Sequence, residues 1–232
     1  MSDPTKPDLL IELGVEELPA GMVGPAVDGL RDGVLALLAG IERAEVRTYA
    51  TPRRLAVVVC DLAAAQPSTE REVTGPPADR AFDAEGRPTE AGVAFAVGKG
   101  ARAEDLRVVE LPKRGRVAAV TVREGGATVV DLLREGLGDV IAKLPFAKRM
   151  VWGDGGLAFG RPLQRIVAVY DGRVVPGAAH GLTFTHVTVG HRLAPEPIAV
   201  GNEAFWLAAL RRHHVEPDVA ARRARIAALL EQ

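Results

Sequence analysis

Four short stretches carry residue types that could hold or transform a ligand. Ala50-Thr51-Pro52-Arg53-Arg54-Leu55 sets two adjacent guanidiniums just after a proline. Proline fixes its own φ and restrains the residue before it, so Thr51-Pro52 makes an extended turn. Arg53 and Arg54 then enter a strand pointing to opposite sides. One can reach a ligand phosphate while the other pairs with an acid or lies along apolar surface. The run Lys143 to Gly153 places Lys148, Arg149 and Trp152 within five residues, with Arg161-Pro162 nearby. Two cations beside an aromatic can grip a phosphate backbone and stack on a base or sugar. A solvated basic loop with an anchoring Trp fits the same residues. Gly190-His191-Arg192 is a third basic stretch, and Glu12 to Pro19 is an acidic one.

Other groups speak against common chemistries. Glu16-Glu17 could serve as an acid and base pair, but first-turn acids also favour a helix N-terminus, and that reading is preferred. His186 and His191 lie five apart in a strand and turn, and His180, His213 and His214 lie elsewhere. These spacings are poor for zinc, and the histidines read as polar loop residues. Cys60 sits inside an apolar run and reads as a buried, inert thiol. Neither a phosphate loop ending in Gly-Lys-Ser/Thr, nor Gly-x-Gly-x-x-Gly after a strand, nor His-Glu-x-x-His is present. No catalytic centre, metal site or cofactor site is read from these residues.

The elements that position these groups follow from periodicity. Strands are expected at 8–13, 45–49 and 54–62, and a helix over 22–39 despite Gly24, Pro25, Gly29 and Gly33. Residues 64–88 are rich in Pro, Gly, Asp and Thr and read as a long ordered loop or small excursion. Thr89 caps a helix to about Val97. A hairpin over 106–111 and 116–123 turns at Lys113-Arg114-Gly115, and one over 165–176 turns at Asp171-Gly172, a type I′ signal. The clearest amphipathic helix covers 128–143. A short strand at 186–189 precedes helices at 202–213 and about 218–231. The order implies an α+β fold, mostly antiparallel sheet with packed helices and a helical C-terminal segment. Residues 1–200 form the α+β region, with a possible sub-boundary near 64–88, and 201–232 form the helical segment.

Composition bounds the possibilities. At roughly 150 residues per domain, 232 residues make one large domain or two small ones. Apolar residues make up 47% and charged residues 25%, so the chain can build a core and is not globally disordered. The net charge of -1 excludes a bulk electrostatic coat on nucleic acid but leaves room for a local basic patch. Only five of the 29 basic residues are lysines, so arginine abundance by itself says little about phosphate binding. A single cysteine excludes a disulfide framework. Met1-Ser2-Asp3-Pro4 begins no secretory signal, and no apolar run is long enough for a bilayer span. A cytoplasmic protein is expected.

Taken in order, the motifs resemble the N-terminal part of the beta subunit of bacterial glycyl-tRNA synthetase, the tetrameric α2β2 type. The resemblance is carried by Leu-Leu-Ile-Glu-Leu-Gly-Val-Glu-Glu-Leu-Pro at 9–19 and Ala-Thr-Pro-Arg-Arg-Leu-Ala at 50–56. It continues in Ala-Phe-Asp-Ala-Glu-Gly-Arg-Pro-Thr at 81–89 and Lys-Leu-Pro-Phe-Ala-Lys-Arg-Met-Val-Trp-Gly at 143–153. Phe-Gly-Arg-Pro at 159–162 and Gly-His-Arg at 190–192 complete it. This chain departs from the usual pattern at Val15, Gly160, Glu90 and, after Arg161-Pro162, at Gln164 and Arg165, where His and an aromatic are usual. It also lacks the usual extra basic residue ahead of Gly75.

The resemblance implies a non-catalytic part of glycine–tRNA ligase. In that family the alpha subunit uses ATP, with Mg, to make glycyl-adenylate and charge tRNA-Gly. The beta subunit grips tRNA and docks alpha, and this chain binds no cofactor of its own. Neither a membrane nor DNA is an expected partner. The implied tRNA contacts are Arg53, Arg54, Lys148, Arg149, Arg161 and Arg192, with Trp152 and His191 packing or stacking. Arg161 and Arg192 could instead pair with buried carboxylates such as Glu12 or Glu16. Family members are several times longer, and the chain ends at Glu231-Gln232 within a helical pattern, so a fragment is expected. Two other readings stay open: a pure protein-interaction module, and a stand-alone ligand-binding domain.

Overall fold

The computed structural model describes residues 6–231, apart from 113, 154 and 155. The described chain divides into two compact units. One holds the residues up to Gln66 together with those from Ala127 onward, and the other is Pro67–Gly126. In chain order the first unit begins with β1 (Leu9–Val15), α1 (Ala20–Leu37), β2 (Val46–Thr51) and β3 (Arg54–Val59). The second unit contains β4 (Ser68–Pro77), α2 (Ala78–Ala81), α3 (Glu90–Gly98), β5 (Arg107–Leu111) and β6 (Gly115–Gly125). The first unit resumes with α4 (Val129–Ala142), β7 (Met150–Val151), β8 (Ala158–Phe159), β9 (Leu163–Tyr170) and β10 (Arg173–Val174). It continues with β11 (Ala178–Ala179), β12 (Leu182–Thr185), β13 (Val187–Val189) and β14 (Pro197–Ala199). Helices α5 (Glu203–Arg212) and α6 (Val219–Leu230) follow.

The first unit is built on one sheet in the order β11-β12-β9-β1-β3-β2, with β10 also paired to β9. Pairing is antiparallel except for β12 against β9. β1 lies between β9 and β3 and is buried along its whole length. Its odd residues, Leu9, Ile11, Leu13 and Val15, pack with Leu30 and Val34 of α1 and Leu133 and Leu137 of α4. On the opposite face Leu10 joins Ala56, Val58, Val167 and Val169 around Trp206 and Leu210 of α5. Covering both faces explains why β1 reads as a nearly continuous apolar run, and why one ionisable residue within it, Glu12, stands out.

Small residues let the two helices on the first face meet closely. A Cβ on Gly33 would lie 2.6 Å from Val140, and one on Gly136 would lie 2.3 Å from Leu37. Helix starts follow local chemistry. Thr128, Asn202 and Asp218 each accept a backbone N–H three residues on. Asp171 and Gly172 both adopt positive φ, at 53° and 69°, as the Asp-Gly turn requires.

The second unit is a three-stranded antiparallel sheet in the order β4-β6-β5, with α2 and α3. Here the expected loop over 64–88 is corrected. Ser68–Pro77 forms a ten-residue strand paired with β6 from Ser68↔Gly125 to Thr74↔Ala119, with a register shift before Pro77↔Val117. Its Ser-Thr-Glu-Arg-Glu-Val-Thr run lacks an apolar face and is largely exposed, so no hydrophobic alternation marks it. Pairing and cross-strand charges sustain it instead: Arg123 meets Glu70 at 3.1 Å, and Arg107 pairs with Glu72. Thr89 caps α3 as expected, accepting from Gly92 N–H at 3.3 Å. The hairpin between β5 and β6 forms, and Gly115 takes positive φ, while Lys113 of its expected turn lies outside the described residues.

The other elements expected from the sequence lie within three residues of their expected bounds, whereas α2, β7, β8, β11, β12 and β14 match no expected element. No helix among the described residues is long and apolar enough to cross a membrane.

Candidate functional site

Glu12 is fully buried in β1, and its carboxylate gathers side chains from four other elements. Gly14, two residues further along the same strand face, lies opposite Arg54 of β3 on one side and Arg165 of β9 on the other. Both arginines are therefore diagonal neighbours of Glu12. Arg54 Nε lies 3.1 Å from Oε2 of Glu12, and Arg165 Nε lies 3.4 Å from Oε1. Thr188 of β13 donates its hydroxyl to Glu12 at 2.6 and 2.9 Å, and Trp206 of α5 donates its indole N–H at 2.6 Å. Arg54 Nη2 in turn donates to Val189 O at 2.6 Å and to Thr188 Oγ1 at 3.2 Å. Gly14 makes the arrangement possible, since a Cβ there would stand 2.4 Å from Cζ of Arg165.

The charges in this cluster do not cancel. One carboxylate faces two guanidiniums. Burial by itself would raise the Glu12 pKa, but Arg54, Arg165 and the hydrogen bonds from Thr188 and Trp206 outweigh it and hold the carboxyl below its ordinary range. Burial pushes the Arg165 guanidinium the other way, below its ordinary value, against the pull of Glu12.

Arg54 and Arg165 also form the floor of a pocket of about 580 Å³. Its walls come from Thr51-Pro52-Arg53, from Val189-Gly190-His191-Arg192 and from the segment 214–222, including His214, Val215 and Arg222. Five arginines and two glutamates, Glu17 and Glu216, line it. At the rim Arg53 pairs with Glu16 at 3.0 Å and Arg192 approaches Glu17 at 3.8 Å. Arg222 Nη1 donates to Ala50 O at 2.9 Å and Glu216 O at 2.7 Å, fixing α6 against the end of β2. Glycine at 190 lets the loop approach α5, because a Cβ there would stand 2.8 Å from His213 Cβ.

The expected site residues divide into two groups. Arg53, Arg54, His191 and Arg192 come together in this pocket. Lys148, Arg149, Trp152 and Arg161 do not line it. Arg149 donates to Ala142 O at 2.9 Å and also to Leu144 O, closing the C-terminal end of α4. Trp152 donates to Phe159 O at 3.0 Å, and Arg161 Nη1 reaches Gly160 O at 3.3 Å. Lys148 is exposed, and no acid pairs with it among the described residues.

Several pairings differ from those expected. It is Arg54 and Arg165, rather than Arg161 and Arg192, that engage Glu12. Glu16 and Glu17 do not sit in the first turn of α1, whose cap is Pro19. They face Arg53 and Arg192, because the backbone before α1 is tied to the turns after β2 and β8. Glu16 N–H donates to Pro162 O at 2.9 Å and Leu18 N–H to Pro52 O at 2.7 Å. Cys60 is buried as expected, and burial raises its thiol pKa. No cluster of His, Cys, Asp and Glu among the described residues could hold a metal ion. The sequence reading missed Arg222 and His214, which lie in a helical run and its preceding turn without a distinguishing pattern. It noted Arg165 only as a departure from a familiar pattern.

Comparison with known proteins matches residues 9–232 to the family described as Glycyl-tRNA synthetase beta subunit. The glycine–tRNA ligase beta subunit of Myxococcus xanthus (strain DK1622) is 38% identical over 222 residues, covering 94% of this chain and 31% of the relative. That of Geobacter metallireducens (strain ATCC 53774 / DSM 7210 / GS-15) is 40% identical over 218 residues, covering 91% and 31%. That of Geobacter sulfurreducens (strain ATCC 51573 / DSM 12127 / PCA) is 40% identical over 214 residues, again covering 91% and 31%. The chain thus spans about a third of the length of the curated relatives it matches. With the match running from β1 to the last residue, the chain belongs to the glycyl-tRNA synthetase beta subunit family.

Proposed function

We propose that this chain serves glycine–tRNA ligase as a non-catalytic portion of its beta subunit, positioning tRNA-Gly and docking the alpha subunit. The observation that carries this reading is the convergence of Arg53, Arg54, His191 and Arg192 on one arginine-rich pocket in a chain of this family. In this reading ATP and its magnesium belong to the alpha subunit, which performs the glycylation in the cytoplasm. The chain's own contribution is geometric. Guanidiniums held on the rigid ends of β3 and β9 fix RNA phosphates in one place, turning a loose encounter into an oriented one. Lys148 adds an exposed surface charge. Exposed apolar side chains on α6, among them Ile226 and Leu229, support a protein contact on that side.

A paired assay tests both halves. The 232-residue chain should shift tRNA-Gly in a gel and be retained by immobilised alpha subunit. Retention by alpha without any tRNA shift would make it a protein-interaction module instead.

A further inference from the structure

We propose that the pocket is a binding site for a phosphomonoester dianion, such as the 5′-phosphate of an RNA end, received chiefly by Arg165. The source as RNA rests on the reading above, whereas the chemistry of the site does not.

Four observations lead there. Within the buried cluster one carboxylate faces two guanidiniums, leaving one positive charge uncompensated beneath the pocket. A buried charge without a partner is costly, and an anion entering from the pocket side removes that cost. Second, the donors are unequally used. Arg54 spends Nη2 on Val189 O and Thr188, whereas the Arg165 Nη groups make no hydrogen bond to protein among the described residues. The Nε atoms of both arginines are buried and lack a well-aligned acceptor. Third, Arg165 is held in one orientation, stacked over Gly14 with its side chain 17% exposed. A planar fork fixed this way is suited to paired hydrogen bonds from a phosphate. Fourth, the site is recessed behind Arg53 and Arg192, and its volume of about 580 Å³ suits a mononucleotide-sized group. An internal phosphodiester would have to lead its strand into the recess and out again. A chain end enters alone and brings two negative charges to an arginine excess.

The test uses the 232-residue chain with 5′-AMP against adenosine in calorimetry, and a short RNA with a 5′-phosphate against the same RNA with a 5′-hydroxyl. The expected result is a preference of about tenfold or more for the phosphorylated form in each pair, the scale of charge-assisted hydrogen bonding. Arg165→Gln should abolish the preference. Arg165→Lys, which keeps a cation against Glu12 but loses the fork, should retain part of it and guards against a variant that fails to fold. Equal binding of both forms by the wild type, or an undiminished preference in a folded Arg165→Gln, overturns the proposal. Two outcomes separate it from the RNA reading. Arg165-dependent AMP binding with no RNA binding upholds the site and removes RNA as its source. Tight RNA binding indifferent to the 5′ end upholds RNA contact and removes the site.

Discussion

Arg54 reaches Glu12 diagonally across the β1–β3 pairing, with Nε 3.1 Å from the carboxylate, although its direct cross-strand partner is Gly14. The missing side chain at that partner position lets two arginines from two strands converge on one acid. Glu12 therefore has two roles. It ties α5 and β13 to the sheet, and it holds the arginines that face the pocket.

Removing that charge should be severe. In Glu12→Gln the volume is preserved but the buried Arg54 and the half-buried Arg165 guanidiniums lose their counterion. The expected loss is about 3 kcal/mol, toward the lower end for breaking a buried ion pair because Arg165 keeps some solvent. Urea unfolding of the variant beside the wild type measures it. A loss under about 0.5 kcal/mol, the ordinary surface range, would show that the cluster does not hold the fold.

The same carboxylate sets a pH dependence of known sign. The folded-state pKa of Glu12 is depressed, so the unfolded chain binds its proton more readily. Its stabilisation is fully present above the unfolded value, about 4.3, and drains away as pH falls through the lower folded value. Urea midpoints taken from pH 7 down to pH 3 should fall in the acid range, and Glu12→Gln should flatten part of that fall. An equally steep fall in the variant would assign the acid sensitivity to other carboxylates.

Lys148 and Arg149, adjacent in sequence, should behave differently. Arg149 closes carbonyls at the end of α4, so Arg149→Ala should cost about 1 kcal/mol of stability. Lys148→Ala, at an exposed side chain, should leave the thermal midpoint within the noise. Equal midpoints for the two variants would remove the capping role of Arg149.

How much of this was legible depends on how local each signal is. The cap at Thr89 and the Asp171-Gly172 turn are written within four residues, and they form as read. Strand β4 was illegible because its alternation is polar and its partner β6 begins about forty residues further on. Motifs pointed to Arg53, Arg54, His191 and Arg192. Their true counter-charges were hidden, because the hub joins groups as far apart as Glu12 and Trp206, 194 residues in sequence. Arg165 gains its meaning only from the register that places it opposite Gly14. Trp152, read as a stacking residue or an anchor, donates its N–H to Phe159 O.

Gly14 offers a probe of the pocket that removes no ionisable group. An added Cβ would stand 2.4 Å from Cζ and 2.6 Å from Cγ of Arg165, so the whole side chain would have to leave its place over Gly14. Gly14→Ala should weaken phosphomonoester binding about tenfold as the guanidinium is displaced, and lower the thermal midpoint as Arg165 leaves Glu12. Calorimetry with 5′-AMP together with a thermal melt checks it. Unaltered binding would mean that the orientation of Arg165 does not matter.

The salt dependence of tRNA-Gly binding bears most directly on the claim that this chain grips RNA through its pocket arginines. Each phosphate contact contributes about 0.7–0.9 to the slope of log K against log salt. Arg53→Ala and Arg192→Ala should each weaken binding and make the slope shallower by about that amount, with little change in thermal midpoint. Unchanged affinity and slope in both variants, with or without a lower midpoint, would contradict the account.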